Sequence, residues 1–271
     1  MTQTSVLASI FEPFRITEEQ TELYRENGHV LLKGVLSGSE LASHRQLIAH
    51  AAQRLNTEQR KLEDRDTYGK AFLQIMNLWE FDESVRHFTL AKRFGDIAAR
   101  LMGVDRVRLY HDQALFKEPG GGHTPWHQDQ YYWPVDTDNT ITMWMPLVDI
   151  SEAMGMLTFA SGSQHQGFVG NIEISDESEI FLGNFVQEKG YPVTRAETMN
   201  AGDATFHSGW TLHAAAGNYS DKMREVMTII YVADGARVAE PQNPNQENDR
   251  QRWLMGKAPG QLIDSALNPI I

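Results

Sequence analysis

The stretch from His123 to Pro134 sets an imidazole, His127, two residues ahead of a carboxylate, Asp129, among Trp126, Tyr131, Tyr132 and Trp133. Side chains at i and i+2 of an extended chain share one face, about 6.6 Å apart at the backbone. Both groups can therefore converge on one metal ion, and a third ligand must come from elsewhere. Residues 202–213 offer His207 and His213. His213 is the expected ligand, because Arg224 follows it by eleven residues (224 − 213) across the turn Asn218 to Asp221. A guanidinium there lies near the metal without competing for it, and pairs with a carboxylate bidentately for about 1.5–3 kcal/mol. His207 reads as a partner of the site and not as a ligand, while His123 and His165 read as loop and turn residues.

Composition narrows the chemistry. No cysteine occurs in the 271 residues, which removes disulfides, zinc–thiolate sites, iron–sulfur clusters and thiol nucleophiles, so a metal must be held by His, Asp or Glu. The formal net charge of −12 argues against nucleic acid or an anionic membrane as a partner. No apolar run reaches the ~18 residues of a spanning helix, and Met1 to Val6 lacks the pattern of a signal peptide. A cytoplasmic protein acting on a small molecule is expected; the oligomeric state is not encoded in any of these features.

The elements that must position these residues change character along the chain. Thr17 to Asn27 reads as a helix opened by a Thr17/Gln20 capping box and stopped at Asn27-Gly28. Val30 to Leu32 reads as a short strand. A second helix runs from Ser37–Glu40 to about Asn56, with Leu41, Ile48 and Leu55 on one face and His44 and His50 as ordinary surface or half-buried histidines. The charged segment Thr57 to Lys70 reads as a loop or a frayed helix end. Two more helices, Phe81 to Ala91 and Phe94 to Leu101, end at Gly103. Then come strand-like runs at Val107 to Phe116, Thr140 to Leu147, Met156 to Ala160, Val193 to Met199, Asp203 to His207 and Glu225 to Val232. This order predicts one α+β domain over residues 1–271: a helical part at about 17–103, a jelly-roll β core at about 104–233 with the helices on one sheet, and a tail from 234 that wraps the core.

The pattern His127-x-Asp129, His213 and Arg224 is that of a facial triad on non-haem iron with an arginine for an α-keto acid. Together with Thr124 to Asp129, Gly155 to Leu157, Ser161 to His165 and Gly202-Asp203, it resembles the phytanoyl-CoA dioxygenase family of Fe(II)- and 2-oxoglutarate-dependent oxygenases over roughly residues 17–233. The resemblance implies a double-stranded β-helix, cupin-like fold. It implies His127, Asp129 and His213 as iron ligands, Arg224 as the partner of the distal 2-oxoglutarate carboxylate, Thr124, Thr142 and Trp144 as lining of the co-substrate pocket, and O₂ as co-substrate. Alternation agrees for Thr142 and Trp144, which share a face opposite Ile141, Met143 and Met145. The chain departs from the family at Ala160 to His165, where Pro-Gly-Ser-His is frequent. Asp129 itself favours hydroxylation, since related halogenases lack that carboxylate.

For the substrate, the residues singled out are Gln113, Tyr132 and Trp133, within an aromatic wall from Tyr131 to Trp133 that suits a cationic amine. Lys117 and Arg108 read as solvated surface charges. The expected activity is hydroxylation of a small polar or zwitterionic metabolite such as an amine, amino acid or aminophosphonate, with release of succinate and CO₂. The alternatives are a hydroxylase of an acyl-CoA or carrier-bound lipid, a metal-dependent hydrolase or isomerase on a cupin-like barrel, and a non-catalytic binding barrel.

Overall fold

Capping chemistry sets the helical first third. In the computed structural model, which describes residue 10 and residues 12–271, helix α1 (Glu18–Asn27) begins where Thr17 Oγ1 accepts from Gln20 N at 3.1 Å and Thr17 N donates back to Gln20 Oε1 at 2.9 Å. Strand β1 (His29–Leu32) follows directly. Helix α2 (Gly38–Leu55) opens with the same reciprocal box at Ser37 and Glu40 and buries Leu41 and Ile48. His44 is fully buried against Phe88 and is not half-exposed as its helix pattern suggests; His50 is exposed.

The charged stretch Thr57 to Lys70 is not a plain loop. It holds a 3-10 turn, Leu62–Asp64, and helix α3 (Thr67–Ala71), whose cap is Asp66. Arg65 is buried there in an ion pair with Glu118, which no reading of local apolar content could reveal. Strand β2 (Leu73–Met76) comes next. The helix expected from Phe81 to Ala91 is two, α4 (Leu78–Phe81) and α5 (Glu83–Thr89), because the Asp82 carboxylate caps a new start by accepting from Ser84 N and Val85 N. Helix α6 (Lys92–Met102) then runs to Gly103.

The β region comprises β3 (Val107–Phe116), β4 (Thr124–His127), β5 (Thr140–Pro146), β6 (Ile150–Ser151), β7 (Leu157–Ala160), β8 (Val193–Arg195), β9 (Thr198–Met199), β10 (Ala204–Ser208), β11 (His213–Ala215) and β12 (Val226–Ala233). Two sheets face each other as a jelly roll. One has the order β1-β10-β5-β12-β3-β2, the other β4-β11-β7-β8, and β6 pairs with β9 apart from both. The run Val193 to Met199 is therefore two strands in different sheets. Two helices go beyond the sequence reading: α7 (Asp176–Lys189) and α8 (Pro244–Trp253). The first covers the four-stranded sheet through Leu182 and Val186, packed with Ala160 and Leu212. Met1 to Val6 lies outside the described residues, and no helix among the described residues is long and apolar enough to cross a membrane.

Alternation gives the six-stranded sheet two different faces. Ile141, Met143, Met145, Phe206, Met227 and Ile229 pack under the N-terminal helices with Phe88, Phe94 and Ile97. Thr142, Trp144, His207, Gln113 and Thr228 point the other way, into a cavity between the sheets. The turn before β10 locks that geometry. Gly202, at φ +90°, donates to Pro146 O, while a Cβ there would sit 2.4 Å from Leu36 O. Asp203 accepts from Gly34 N at 2.8 Å and Asn200 N at 2.9 Å, so the Gly-Asp pair ties β1 to β10.

Asp112 joins the helices to the sheet. It is fully buried, and its Oδ2 accepts from Thr89 Oγ1 at 2.6 Å and Trp79 N at 3.3 Å. Burial pushes its carboxyl up to about 7, against the lowering by Thr89 and the backbone donors. The folded chain then binds a proton that the unfolded chain has released between pH 4 and 7, so this carboxyl's contribution to stability is full below pH 4 and is lost as pH rises through 7. Asp112→Asn keeps the acceptor without the titration. Relative to the native chain its stability is expected to rise from pH 4 to pH 7, by on the order of 1 kcal/mol per pH unit, read from denaturant unfolding at each pH. A constant difference across that range would contradict the assignment.

Candidate metal centre and adjoining cavity

His127 and His213 are cross-strand partners. Strands β4 and β11 pair antiparallel with these two residues opposite each other, which brings their ring centroids to 4.0 Å. Each imidazole is fixed by a backbone carbonyl two residues earlier: His127 Nδ1 lies 2.8 Å from Pro125 O and His213 Nδ1 2.9 Å from Thr211 O. With Nδ1–H donated, Nε2 of each ring carries a free lone pair. Those two atoms stand 3.5 and 3.6 Å from Asp129 Oδ1, and the three ligand atoms lie within 4.8 Å of one another. The donor set of two neutral imidazoles and one carboxylate on contiguous positions fits an iron(II) ion.

Asp129 is not on the strand. β4 stops at His127, Gln128 stays extended, and Asp129 opens a 3-10 turn to Tyr132. The one extended residue is enough to keep the i, i+2 relation. The other carboxylate oxygen, Oδ2, accepts from Thr142 Oγ1 at 2.8 Å and lies 3.2 Å from His207 Nε2. Thr142 and His207 are themselves opposite each other across β5 and β10. Burial would raise the Asp129 carboxyl, but its contact with His207 helps hold it well below the usual carboxylate range. Burial, reinforced by the His127 ring, holds His213 well below the usual imidazole value, so it is neutral and able to ligate.

Arg224 lies farther along the same cavity. It is 2% exposed, with its Cζ 5.4 Å from the Trp144 ring centroid. Its Nη1 donates to Gly155 O, and its Nε has no hydrogen-bond partner among the described residues. Burial lowers its pKa to about 9. Behind it stands Lys117, which is fully buried and not a surface charge: its backbone exchanges hydrogen bonds with Arg224, and its Nζ donates to Gly122 O, Ala216 O at 3.2 Å and Thr124 Oγ1 at 3.4 Å. Burial and the Arg224 charge lower the Lys117 ammonium to about 6. Neither cation has an ion pair with a described carboxylate. Arg108, by contrast, is partly buried and pairs with Asp234 at 2.6 Å, outside the cavity lining.

The cavity, about 510 Å³, brings together all ten residues singled out in the sequence: Gln113, Thr124, His127, Asp129, Tyr132, Trp133, Thr142, Trp144, His213 and Arg224. Gln113 accepts from Gln74 Nε2 at 2.6 Å, and Tyr132 Oη accepts from Ile174 N at 2.9 Å. Tyr131 does not join the aromatic wall, because the 3-10 turn rotates it out of this cavity. His123 and His165 are exposed. The departure at Ala160 to His165 leaves the turn intact: Gly162 takes φ +86° and Ser163 Oγ accepts from Leu212 N at 2.9 Å. Sequence reasoning missed Tyr68, Gln74, His111 and the α8 residues Asn245, Asn248 and Asp249, which line the cavity from segments with no motif of their own.

The model of the phytanoyl-CoA dioxygenase (PhyH) family matches residues 24–226. The chain is similar to a probable alpha-ketoglutarate-dependent hypophosphite dioxygenase of Stutzerimonas stutzeri, 23% identical over 234 residues that span 80% of this chain and 79% of that protein. It is also similar to a 2-aminoethylphosphonate dioxygenase of uncultured bacterium HF130_AEPn_1, 23% identical over 220 residues, 79% of this chain and 81% of that one. Among solved structures, the alpha-ketoglutarate-dependent carbocyclase SnoK of nogalamycin biosynthesis superposes with a TM-score of 0.78 at 23% identity, covering 96% of this chain and 99% of that chain. EctD from S. alaskensis, solved with 2-oxoglutarate and 5-hydroxyectoine, gives 0.65 at 16% identity, covering 86% and 83%. These likenesses place the fold among non-haem iron oxygenases.

The hydrogen bond from Thr142 to Asp129 yields a prediction that a pocket-lining role would not. Thr142→Val keeps volume but frees Oδ2 to rotate, and loss of such an orienting contact weakens metal binding about tenfold or more. Titration with Fe(II) or Mn(II) under nitrogen checks this. Unaltered metal affinity in the variant would remove Thr142 from the positioning of Asp129.

Proposed function

The chain belongs to the phytanoyl-CoA dioxygenase family and is an iron- and 2-oxoglutarate-dependent dioxygenase; from that premise we propose that it hydroxylates a small, polar or zwitterionic metabolite in the cytoplasm. The proposed ligands are His127, Asp129 and His213. Arg224 is the proposed partner of the distal carboxylate of 2-oxoglutarate, with Thr124 and Trp144 beside it, and Gln113, Tyr132 and Trp133 form the substrate wall. One observation carries the reading: a convergent His/Asp/His donor set shares a cavity with a buried arginine that has no acidic partner among the described residues.

Iron(II) bound by this donor set, with 2-oxoglutarate, supplies the oxidising chemistry: oxidative decarboxylation to succinate and CO₂ accompanies reduction of O₂, one oxygen atom going to succinate and the other to the hydroxylated product. The protein's part is positioning. Arg224 orients the co-substrate by a charge-assisted bidentate contact. A carboxylate there relieves a buried guanidinium whose isolation costs several kcal/mol. Thr142 and His207 hold Asp129 so that one oxygen faces the metal. Trp144 closes the side of the pocket on which the Arg224 guanidinium rests.

The substrate end is polar and acidic, with Asp66, Glu173 and Asp249 among its lining. Those charges oppose the phosphates of an acyl-CoA, so the acyl-CoA alternative is disfavoured. The two phosphorus-compound dioxygenases among the relatives support small polar substrates for this chain.

Purified protein supplied with Fe(II), 2-oxoglutarate and O₂ is expected to form succinate, and to form it faster when a substrate from a panel of amines, amino acids and aminophosphonates is present. His213→Ala is expected to abolish turnover. Arg224→Ala is expected to raise the Kd for 2-oxoglutarate by roughly 10- to 100-fold, the equivalent of one charge-assisted pair. Turnover that needs zinc and no O₂ would replace the oxygenase reading with a hydrolytic one.

A further inference from the structure

Beyond the triad and Arg224, the charged residues lining the cavity are Asp66, Glu173, Asp249 and Arg252. Two of the three acids are exposed and already engaged: Asp66 caps α3 by accepting from Gly69 N at 2.7 Å, and Glu173 accepts from Asn245 Nδ2 at 3.1 Å. Asp249 differs. It is half-buried on α8 and lines the cavity, and its Oδ2 accepts from Tyr110 Oη at 3.1 Å. Arg252 is exposed and stacks on Trp253 at 4.3 Å, without an ion pair to Asp249.

Aromatic rings line the same cavity: Tyr68, Tyr132 and Trp133, together with the imidazole of His111, which is 4% exposed and has its Nδ1 enclosed by protein. Burial holds that ring neutral, its pKa lowered to about 3. It packs beside Tyr110 at 5.2 Å and Trp253 at 5.7 Å, and Tyr110 in turn lies 5.5 Å from Trp133. The Asp249 carboxylate and the cavity-lining rings of Tyr68, Tyr132 and Trp133 form a receptor for a cation that also donates hydrogen bonds.

Resting on the dioxygenase reading above, we propose that Asp249 binds an ammonium group of the substrate, so that the chain selects a cationic amine. Burial pushes the Asp249 carboxyl up to about 7 despite the lowering by Tyr110, Arg252 and Trp253, and an entering ammonium offsets that desolvation. The exposed Asp66 and Glu173 draw cations toward the opening. Helix α8 begins at Pro244, eighteen residues (244 − 226) past the end of the family match. The amine-selecting group thus sits on a segment that the family pattern does not specify, and the tail does more than wrap the core.

The test uses the protein loaded with Fe(II) and 2-oxoglutarate under nitrogen, with binding read by calorimetry for matched pairs: butylamine against butanol, and 2-aminoethylphosphonate against ethylphosphonate. Each amine is expected to bind roughly tenfold or more tightly than its counterpart. Asp249→Asn is expected to bring each pair within about twofold, while Asp249→Glu retains the preference. The 2-oxoglutarate titration of each variant reports its folding. Absence of amine binding to the native protein, equal binding within the pairs, or a preference that survives Asp249→Asn overturns the assignment. A tighter-binding ethylphosphonate whose affinity depends on Arg252 does so as well. Failure of the native protein to consume 2-oxoglutarate overturns the dioxygenase reading, whereas intact consumption without amine preference overturns only the role of Asp249.

Discussion

One carboxylate couples the two sheets. Asp129 presents Oδ1 to His127 and His213, a cross-strand pair of the four-stranded sheet, and Oδ2 to Thr142 and His207, a cross-strand pair of the six-stranded sheet. A shift of either sheet by one residue would send one of these pairs to the opposite face. The register of both sheets is therefore a condition for the site. The helices on the outer face of the six-stranded sheet, α7 on the four-stranded sheet and the Gly202-Asp203 tie are the structural means of holding it.

Charge along the cavity is separated as well. At one end Arg224 is buried without a described carboxylate against it; toward the other lie Asp249 and the exposed Asp66 and Glu173. A buried guanidinium without an acidic partner costs several kcal/mol in isolation, and a fold retains it where a ligand completes it. The polarity runs from a pole suited to a dicarboxylate to one suited to a cation, with the donor set between the two sets of walls.

The candidate ligand set could be picked out of the sequence because its residues carry chemistry that composition could not assign elsewhere: with no cysteine, His127, Asp129 and His213 stood out, and the fold brings them together. Alternation sorted Thr142 and Trp144 from Ile141, Met143 and Met145 because β5 is buried on both faces of an otherwise regular sheet. What local pattern could not supply was tertiary. Lys117 follows the strand's apolar end, and only the pairing with Arg224 buries it. The hydroxyl of Thr142 is claimed by Asp129, thirteen residues away. Helix α7 had signals, an acidic first turn and Gly190 at its end, but its capping box closes on Ser178 in place of Glu or Gln. Helix α8 is so polar that only Asn243 and Pro244 at its start announce it.

The central claim is that His127, Asp129 and His213 form one iron site whose affinity depends on the bridging carboxylate. The most direct measurement is an Fe(II) titration under nitrogen, with and without 2-oxoglutarate, of the native chain and of Asp129→Ala. The account predicts one ion per native chain, bound more tightly when 2-oxoglutarate is present, and a loss of about two orders of magnitude or more in the variant. Iron held by Asp129→Ala as tightly as by the native chain would contradict it.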